Sequence, residues 1–442
     1  MTSSNGSSTS PDLSSAKQLN RANLDENLPQ EWVPRRSSTR AWVTYDLANT
    51  IFAFGVVGYG FALWMTDNGV SDGVLGRIEG TAGLIVAFAA PWLGSRTDFQ
   101  GRRLPTLAVT TLLAVVGTVV LGSGPQWLTF LALGLGFIGF QIGSALYDAL
   151  LPDVSTPATW GRVSGLGVGV GYVGSFVGLG IFMLVKEVLD KSYAATFGGL
   201  GLAFLVFSIP TFVFVRERPR PRPQGRPPSL LGTASHLVAA WRRASRYQDV
   251  VRFLMARFLY TDATNTLLGG FLTIFVTQEL GLSKGFMFWL LAVVIGVAVP
   301  GGLIGGRLVE RFGPLRVLSF ALFLVAIGIA TAIGAALSGL AELVWVIGPL
   351  GGAAIGAIWS ADRVLMARIS PPQHFGEFYG LYATVGRFSF ILGPLMWGFL
   401  TDNFHLGRNV AMGMLICFIL ASLWVLRRVD DGERQWDQAD RS

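Results

Sequence analysis

Apolar residues run in long, nearly unbroken stretches along this chain, and polar residues gather in the short gaps between them. The stretches fall near residues 41 to 64, 74 to 95, 105 to 123, 127 to 150, 162 to 185 and 193 to 215. They return near 250 to 277, 286 to 306, 316 to 338, 342 to 366, 376 to 400 and 409 to 426. Each holds about twenty residues, and a helix of that length crosses a hydrocarbon core of about 30 Å. The period-two alternation of a membrane barrel is absent. The pattern therefore predicts an all-α, polytopic membrane protein with twelve transmembrane helices.

Composition agrees: of 442 residues 51% are hydrophobic and only 14% charged, where a soluble domain carries about a quarter charged residues. The net charge of +7 does not point to nucleic acid, because the arginines lie between apolar stretches rather than on one basic surface. It points to topology instead. With the amino terminus cytoplasmic, one side of the membrane holds Arg35, Arg36, Arg40, Arg96, Arg102, Arg103, the basic run from 216 to 252, Arg307, Arg311, Arg316, Arg427 and Arg428. The other side keeps only Arg77, Lys186, Lys191, Lys284 and Arg408. Positive residues are retained inside, so both termini are expected in the cytoplasm and the protein in the cell (inner) membrane.

Residues 1–40, rich in Ser, Asn and Pro, read as a disordered tail with no signal-peptide core. Residues 41–216 form a first half, 217–249 a basic linker, 250–427 a second half and 428–442 a short tail. The linker begins as an extended Arg-Pro stretch over 216 to 228 and continues as a possible interfacial helix or solvated segment over 230 to 247. The single cysteine, Cys417, lies in an apolar run and excludes disulfides within the chain.

The second half repeats the first. Asp46, Asn49 and Thr50 spell D-x-x-N-T after Tyr45, and Asp262, Asn265 and Thr266 repeat it after Tyr260, 216 positions on. Gly94, Asp98, Gly101, Arg102 and Arg103 are answered by Gly306, Glu310, Gly313 and Arg316 at an offset of 212. Trp160-Gly161 with Gly165-Leu166 is answered by Phe375-Gly376 with Gly380-Leu381 at 215. Three agreeing offsets describe two pseudo-symmetric six-helix bundles, the internal symmetry of many transporters.

The segment G-x-x-x-D-x-x-G-R-R at 94 to 103 resembles the loop signature of the major facilitator superfamily. The Tyr45 to Thr50 motif, Arg162-Val163-Ser164-Gly165-Leu166-Gly167 and the stretch from 363 to 382 resemble the autophagy-related vacuole effluxer-like family within it. That resemblance implies the major facilitator fold and secondary transport by alternating access. It also implies amino-acid efflux, with which fungal members are associated, and a gating role for Asp98, Arg102, Arg103 and Glu310.

An ionisable side chain at the centre of a membrane helix costs at least about 2.5 kcal/mol, so each needs a partner or a wet cavity. Asp46, Asn49 and Thr50 share one helix face, as do Asp262, Asn265 and Thr266. The two faces are expected to oppose each other across a central cavity, with Asp46 or Asp262 titrating or binding a cation; the competing reading makes both carboxylates helix caps or ion pairs. Gln141, Ser144 and Asp148 line one face of the fourth stretch, and Trp359, Asp362 and Arg363 lie together near the end of the tenth. Arg257 and Arg387 have no acid on their own face, so each pairs across helices or meets a substrate carboxylate. Arg363 also fits a snorkelling role. Tyr45 joins these as a candidate contact.

The G-x-G-x-x-G spelled by Gly169 to Gly174 lies inside an apolar stretch with no strand before it, and reads as glycine for close helix approach. His236, His374 and His405 are scattered, so no metal or cofactor is expected, and no catalytic motif points to an enzyme. The expected partners are a small polar solute, a proton or a sodium ion as alternatives, and the lipid bilayer; the protein is expected to act as a monomer. Efflux of drug-like or lipid-like solutes is the alternative within transport. A transport-inactive scaffold or sensor is the alternative outside it.

Overall fold

The structure, a computed structural model, describes residues 34–156, 159–218, 229–371 and 375–432. The expected tail up to residue 33, the Arg-Pro stretch at 219 to 228, His374 and the end of the chain from 433 lie outside the described residues. So do the side chains of Trp160, Arg162, His236, Phe375 and Glu377.

The chain is helical almost throughout. α1 (Arg36–Asp67) is one long helix whose middle, Ile51–Phe61, widens into π-helical geometry. α2 (Asp72–Gln100) ends on Gly101, whose φ of 69° supplies the left-handed cap that L side chains resist. α3 (Leu104–Val120) starts with Pro105 in its first turn, where a missing N–H costs nothing. α4 (Gln126–Asp148), α5 (Trp160–Phe182, continued by the π turn Met183–Val188) and α6 (Tyr193–Phe214) complete the first half. α7 (Leu230–Ala244) is the linker helix, its first turn capped by Ser229.

α8 (Gln248–Thr266) continues through Leu267–Phe271 and Leu272–Ile274 to Phe275–Glu279. α9 (Lys284–Phe312), α10 (Pro314–Ser338) and α11 (Val344–Ile369) follow. The eleventh apolar stretch is broken: α12 (Phe375–Phe388) stops, the chain turns, and α13 (Leu392–Gly398) resumes with a π turn Phe399–Asn403. α14 (Arg408–Leu426) is last.

Ten helices among the described residues are long and apolar enough to cross a membrane, counting Phe378–Asn403 through its turn as one. The other two expected spans differ for plain reasons: α3 has 17 residues, and α8 carries Arg252, Arg257 and Asp262 within its length. Large apolar side chains such as Val109, Leu202, Leu303 and Leu337 point outward, as lipid requires and water does not. Cys417 is exposed on this outer surface. The molecule is an all-α, polytopic membrane protein.

Helix neighbours recur between the halves. α1 lies against α5 and α6, α2 against α4, and α3 against α4 and α6. Correspondingly α8 lies against α12 and α14, α9 against α11, and α10 against α11 and α14. Glycine sets how closely some of these approach: a Cβ at Gly356 of α11 would collide with the Ala298 carbonyl of α9, and one at Gly174 of α5 with the Leu47 carbonyl of α1.

The halves meet mainly through α2 with α12 and α13, α1 with α8, and α5 with α9. At the end of the molecule opposite the termini, this junction is closed by polar bonds. The Arg408 guanidinium grips Asp72 through Nε at 2.8 Å and Nη2 at 3.1 Å, and Lys284 meets Asp67 at 2.5 Å. Asp402 accepts from the Ser71 hydroxyl at 2.7 Å and the Gly73 amide at 3.1 Å. Of the two ion pairs only Lys284 with Asp67 is partly exposed on both sides, and such a pair contributes at most about 1 kcal/mol. Main-chain contact does the rest, since a Cβ on Gly76 would strike the Pro394 carbonyl.

Candidate functional site

Two arginines of the second half reach into the first. Arg387, in the last turn of α12, donates to the main-chain oxygen of Gln141 at 3.0 Å and lies 3.5 Å from the Asp148 carboxylate at the end of α4. Arg363 of α11 reaches the Ser164 hydroxyl of α5 at 3.4 Å and acts electrostatically on Asp46 and Asp148. The Asp148 side chain is 71% exposed although helices surround it, so it faces a wet cleft and not open bulk. Two acids from the first half and two guanidinia from the second thus share one space.

Asp46 owes its place to glycine. Its carboxylate lies against Gly167 and Gly171 of α5, where an added Cβ would stand 3.3 and 3.4 Å away. Thr50, one turn on, donates to the Gly171 carbonyl at 2.5 Å. The glycine run that mimics a dinucleotide motif is the surface that receives the D-x-x-N-T face.

The second copy of that motif does something else. Asp262 is fully buried, and its Oδ2 accepts from the Gly393 amide, with the Ile391 and Leu392 amides alongside. It caps the restart of the broken stretch at α13. Asn265 donates to the Ser389 carbonyl at 3.0 Å within the same turn. The expectation that the two motif faces oppose each other across a cavity is corrected: each turns to the partner helix of its own half, α5 for Asp46 and α13 for Asp262. What meet between the halves are the π-helical stretches that follow the motifs, and just beyond the second of them Thr273 donates to the Gly58 carbonyl at 2.6 Å.

Other candidates separate in the same way. Arg257 is paired with Asp362 of α11 and lies 3.6 Å over the Tyr382 ring, while the Tyr260 hydroxyl donates to the same carboxylate at 3.4 Å. Tyr45 is 1% exposed, bonded to Thr111 at 2.6 Å and stacked on Tyr147; burial in that aromatic cluster removes it from solute contact. Asn49 and the side chain of Gln141 are also buried, and Gln141 offers Arg387 its main chain only. Trp359 stays half-exposed and joins none of these pairs.

Asp98 lies in the last turn of α2, and its carboxylate turns onto Arg103 at 2.5 and 2.9 Å. Arg103 in turn donates to the Ala149 carbonyl, tying α2, α3 and α4 together. Gly94, Asp98, Arg103 and Arg387 line one cavity of about 170 Å³, so the loop borders the cleft. Gly101 supplies the turn, Arg102 is exposed, and Glu310 makes no ion pair among the described residues.

Glu79 of α2 escaped the reading of the sequence. It is 1% exposed and lies between the halves against α8. A lone acid a few positions into an apolar stretch was the available signal. The acidic and basic residues that close the opposite end were legible only as sparse loop charges.

The profile of the family described as vacuole effluxer Atg22 like matches residues 155–439. An uncharacterised major-facilitator-type transporter, YxiO of Bacillus subtilis, is 25% identical over 405 residues, covering 86% of this chain and 92% of that protein. Autophagy-related protein 22-1 of Penicillium rubens is 30% identical over 301 residues, 62% of this chain, and the chain spans 50% of that protein's length. Among solved structures, the nucleoside transporter NupG superposes with a TM-score of 0.70 at 10% identity over 89% of this chain and all of that one. A D-xylose-proton symporter superposes at 0.67 and 16%, over 89% of this chain and 98% of that one. The chain belongs to the Atg22-like vacuole effluxer family, and it is a membrane transport protein of the major facilitator superfamily rather than an enzyme.

Proposed function

We propose that this protein moves a small zwitterionic solute, an amino acid in the first instance, through alternating access of two six-helix bundles. The observation that carries the reading is the contact of Arg387 with Asp148 across the halves, in a cleft that water reaches. At 3.5 Å the pair is loose enough for a solute to replace it. A solute carboxylate matches the planar donors of Arg387 or Arg363, and a solute ammonium matches Asp148 or Asp46. Hydrogen bonds to charged groups are worth about 1.5–3 kcal/mol each, so two such exchanges supply useful affinity. A cleft set with four charges suits a polar solute better than a lipophilic one.

The repeated helix neighbours support twelve spans in two bundles, with α3 and α8 as the two less apolar members. The arginines grouped near both ends of the chain support placing the termini in the cytoplasm. The cleft then opens to the cytoplasm while the far face is shut. The linker 217–249 joins the bundles, with α7 as its ordered part.

A thermal-shift screen of the purified protein tests this. A ligand at a hundred times its Kd stabilises by about 2.7 kcal/mol, a readable rise in melting temperature. Zwitterionic amino acids should produce it, and Asp148→Asn and Arg387→Met should each abolish it. Stabilisation by lipophilic cations alone, unaffected by those substitutions, would sink the assignment.

A further inference from the structure

Glu79 is a buried acid without a polar partner among the described residues. Neither carboxyl oxygen has a hydrogen-bond partner there, and both lie about where α2 presses on α8: a Cβ on Gly269 would stand 3.0 and 3.1 Å from them. Glycine at 269 is what lets the two halves close over the group. The facing groups on α8 are Asp262, a second buried acid that acts electrostatically on Glu79, and Thr266, whose hydroxyl turns back to the Asp262 carbonyl. α12 and α13 bring Phe390, Ile391 and Leu395 along this side of α2. The remaining titratable groups on helices beside α2 serve elsewhere: Arg387 and Asp148 in the cleft, Arg77 with Asp402 at the closed end, and the arginines of α7 at the terminal end.

The two acids are unequal. Asp262 has main-chain amides as donors to its Oδ2. Glu79 has neither a hydrogen-bond donor nor an ion-pair partner among the described residues, its oxygens are buried, and it sits beside that second acid. An ionised carboxylate there would be desolvated with no donor to offset the cost, so the neutral acid is the form the closed junction accommodates.

We propose that Glu79 is a proton-binding site coupled to closure of the far face. It keeps its proton while α2 lies against α8, and releases it when the halves part at that end. On release the carboxyl O–H bond breaks, the proton passes to water entering between the helices, and the carboxylate left behind is hydrated. Reclosure takes a proton back from the same water. The coupling to solute movement rests on the transporter reading, but the site itself can be measured with no solute present.

Leu75, fully buried beside Gly270 at this junction, is the probe position. In full-length protein bearing Cys417→Ser and Leu75→Cys, the rate of labelling by a membrane-impermeant maleimide, divided at each pH by the rate for the unfolded protein to remove the thiolate's own pH dependence, should be low at low pH and rise with pH. With Glu79→Gln added, which imitates the protonated acid, the normalised rate should stay low at every pH. An unchanged pH profile in that variant, or labelling that follows sodium at fixed pH, overturns the proposal. Infrared spectra of otherwise unaltered protein provide a readout independent of any variant. A protonated-carboxyl band at neutral pH should shift on carbon-13 labelling of glutamate and not of aspartate. Its absence also overturns the proposal, whatever the solute screen finds.

Discussion

Gly174 lacks a side chain because the Leu47 carbonyl and the Thr50 hydroxyl of α1 occupy the place its Cβ would take, whereas Gly169, five positions earlier, has open space on that side. The difference makes a sharp test. Gly174→Ala should cost about 1–3 kcal/mol through overpacking and visibly lower the melting temperature in detergent, while Gly169→Ala should leave it unchanged. Equal effects would mean that α5 does not approach α1 as described. The glycine run was legible as a close-approach surface. Which glycines touch was not, because that depends on the rotation of α5 against a helix more than a hundred positions away. Charged residues show the same limit. Arg257 and Asp362 are 105 positions apart, so spacing shows only that each needs something. Tyr45 belongs to the motif yet is core, and Glu79, buried between the halves, belongs to no motif.

Elements carry the internal repeat further than the residues do. The D-x-x-N-T motif ends at Thr50 in α1 and at Thr266 in α8, and in both helices the next residue opens a π-helical stretch. These two widened stretches face each other where the halves join. Gly270, at φ 107°, is the sharpest departure within them, and its Cβ would stand 3.0 Å from the Val57 carbonyl. An L residue in a left-handed conformation costs about 1–2 kcal/mol. Gly270→Ala should therefore loosen the closed end: a cysteine placed by Leu75→Cys should react faster with maleimide than in the parent at the same pH. An unchanged rate would deny Gly270 that role. The long helices were readable from apolar runs alone. The π stretches and the break before α13 were not, since Asp262 holds the break from another helix.

The whole molecule has two unlike ends. One is shut by Asp72 with Arg408, Asp67 with Lys284 and Asp402 with Ser71 and Gly73. Towards the other lies the cleft where Asp46, Asp148, Arg363 and Arg387 gather. That asymmetry is what one state of an alternating-access cycle requires, since opening the shut end must break polar bonds that a rocking motion can replace at the other. The repeat and the membrane class were visible in the sequence because symmetry and hydropathy are local properties summed over length. The cleft was visible only as separate charged residues. Their meeting is a fact of tertiary structure.

Counterflow in proteoliposomes tests the central claim most directly. Vesicles loaded with an unlabelled amino acid that stabilises the protein should accumulate the labelled form transiently. Asp148→Asn and Arg387→Met should each reduce the initial rate at least about tenfold, the equivalent of ~1.4 kcal/mol in transition-state stabilisation. Counterflow that proceeds undiminished in both variants would contradict the account, because the solute would then be crossing without the charges that the two halves bring together.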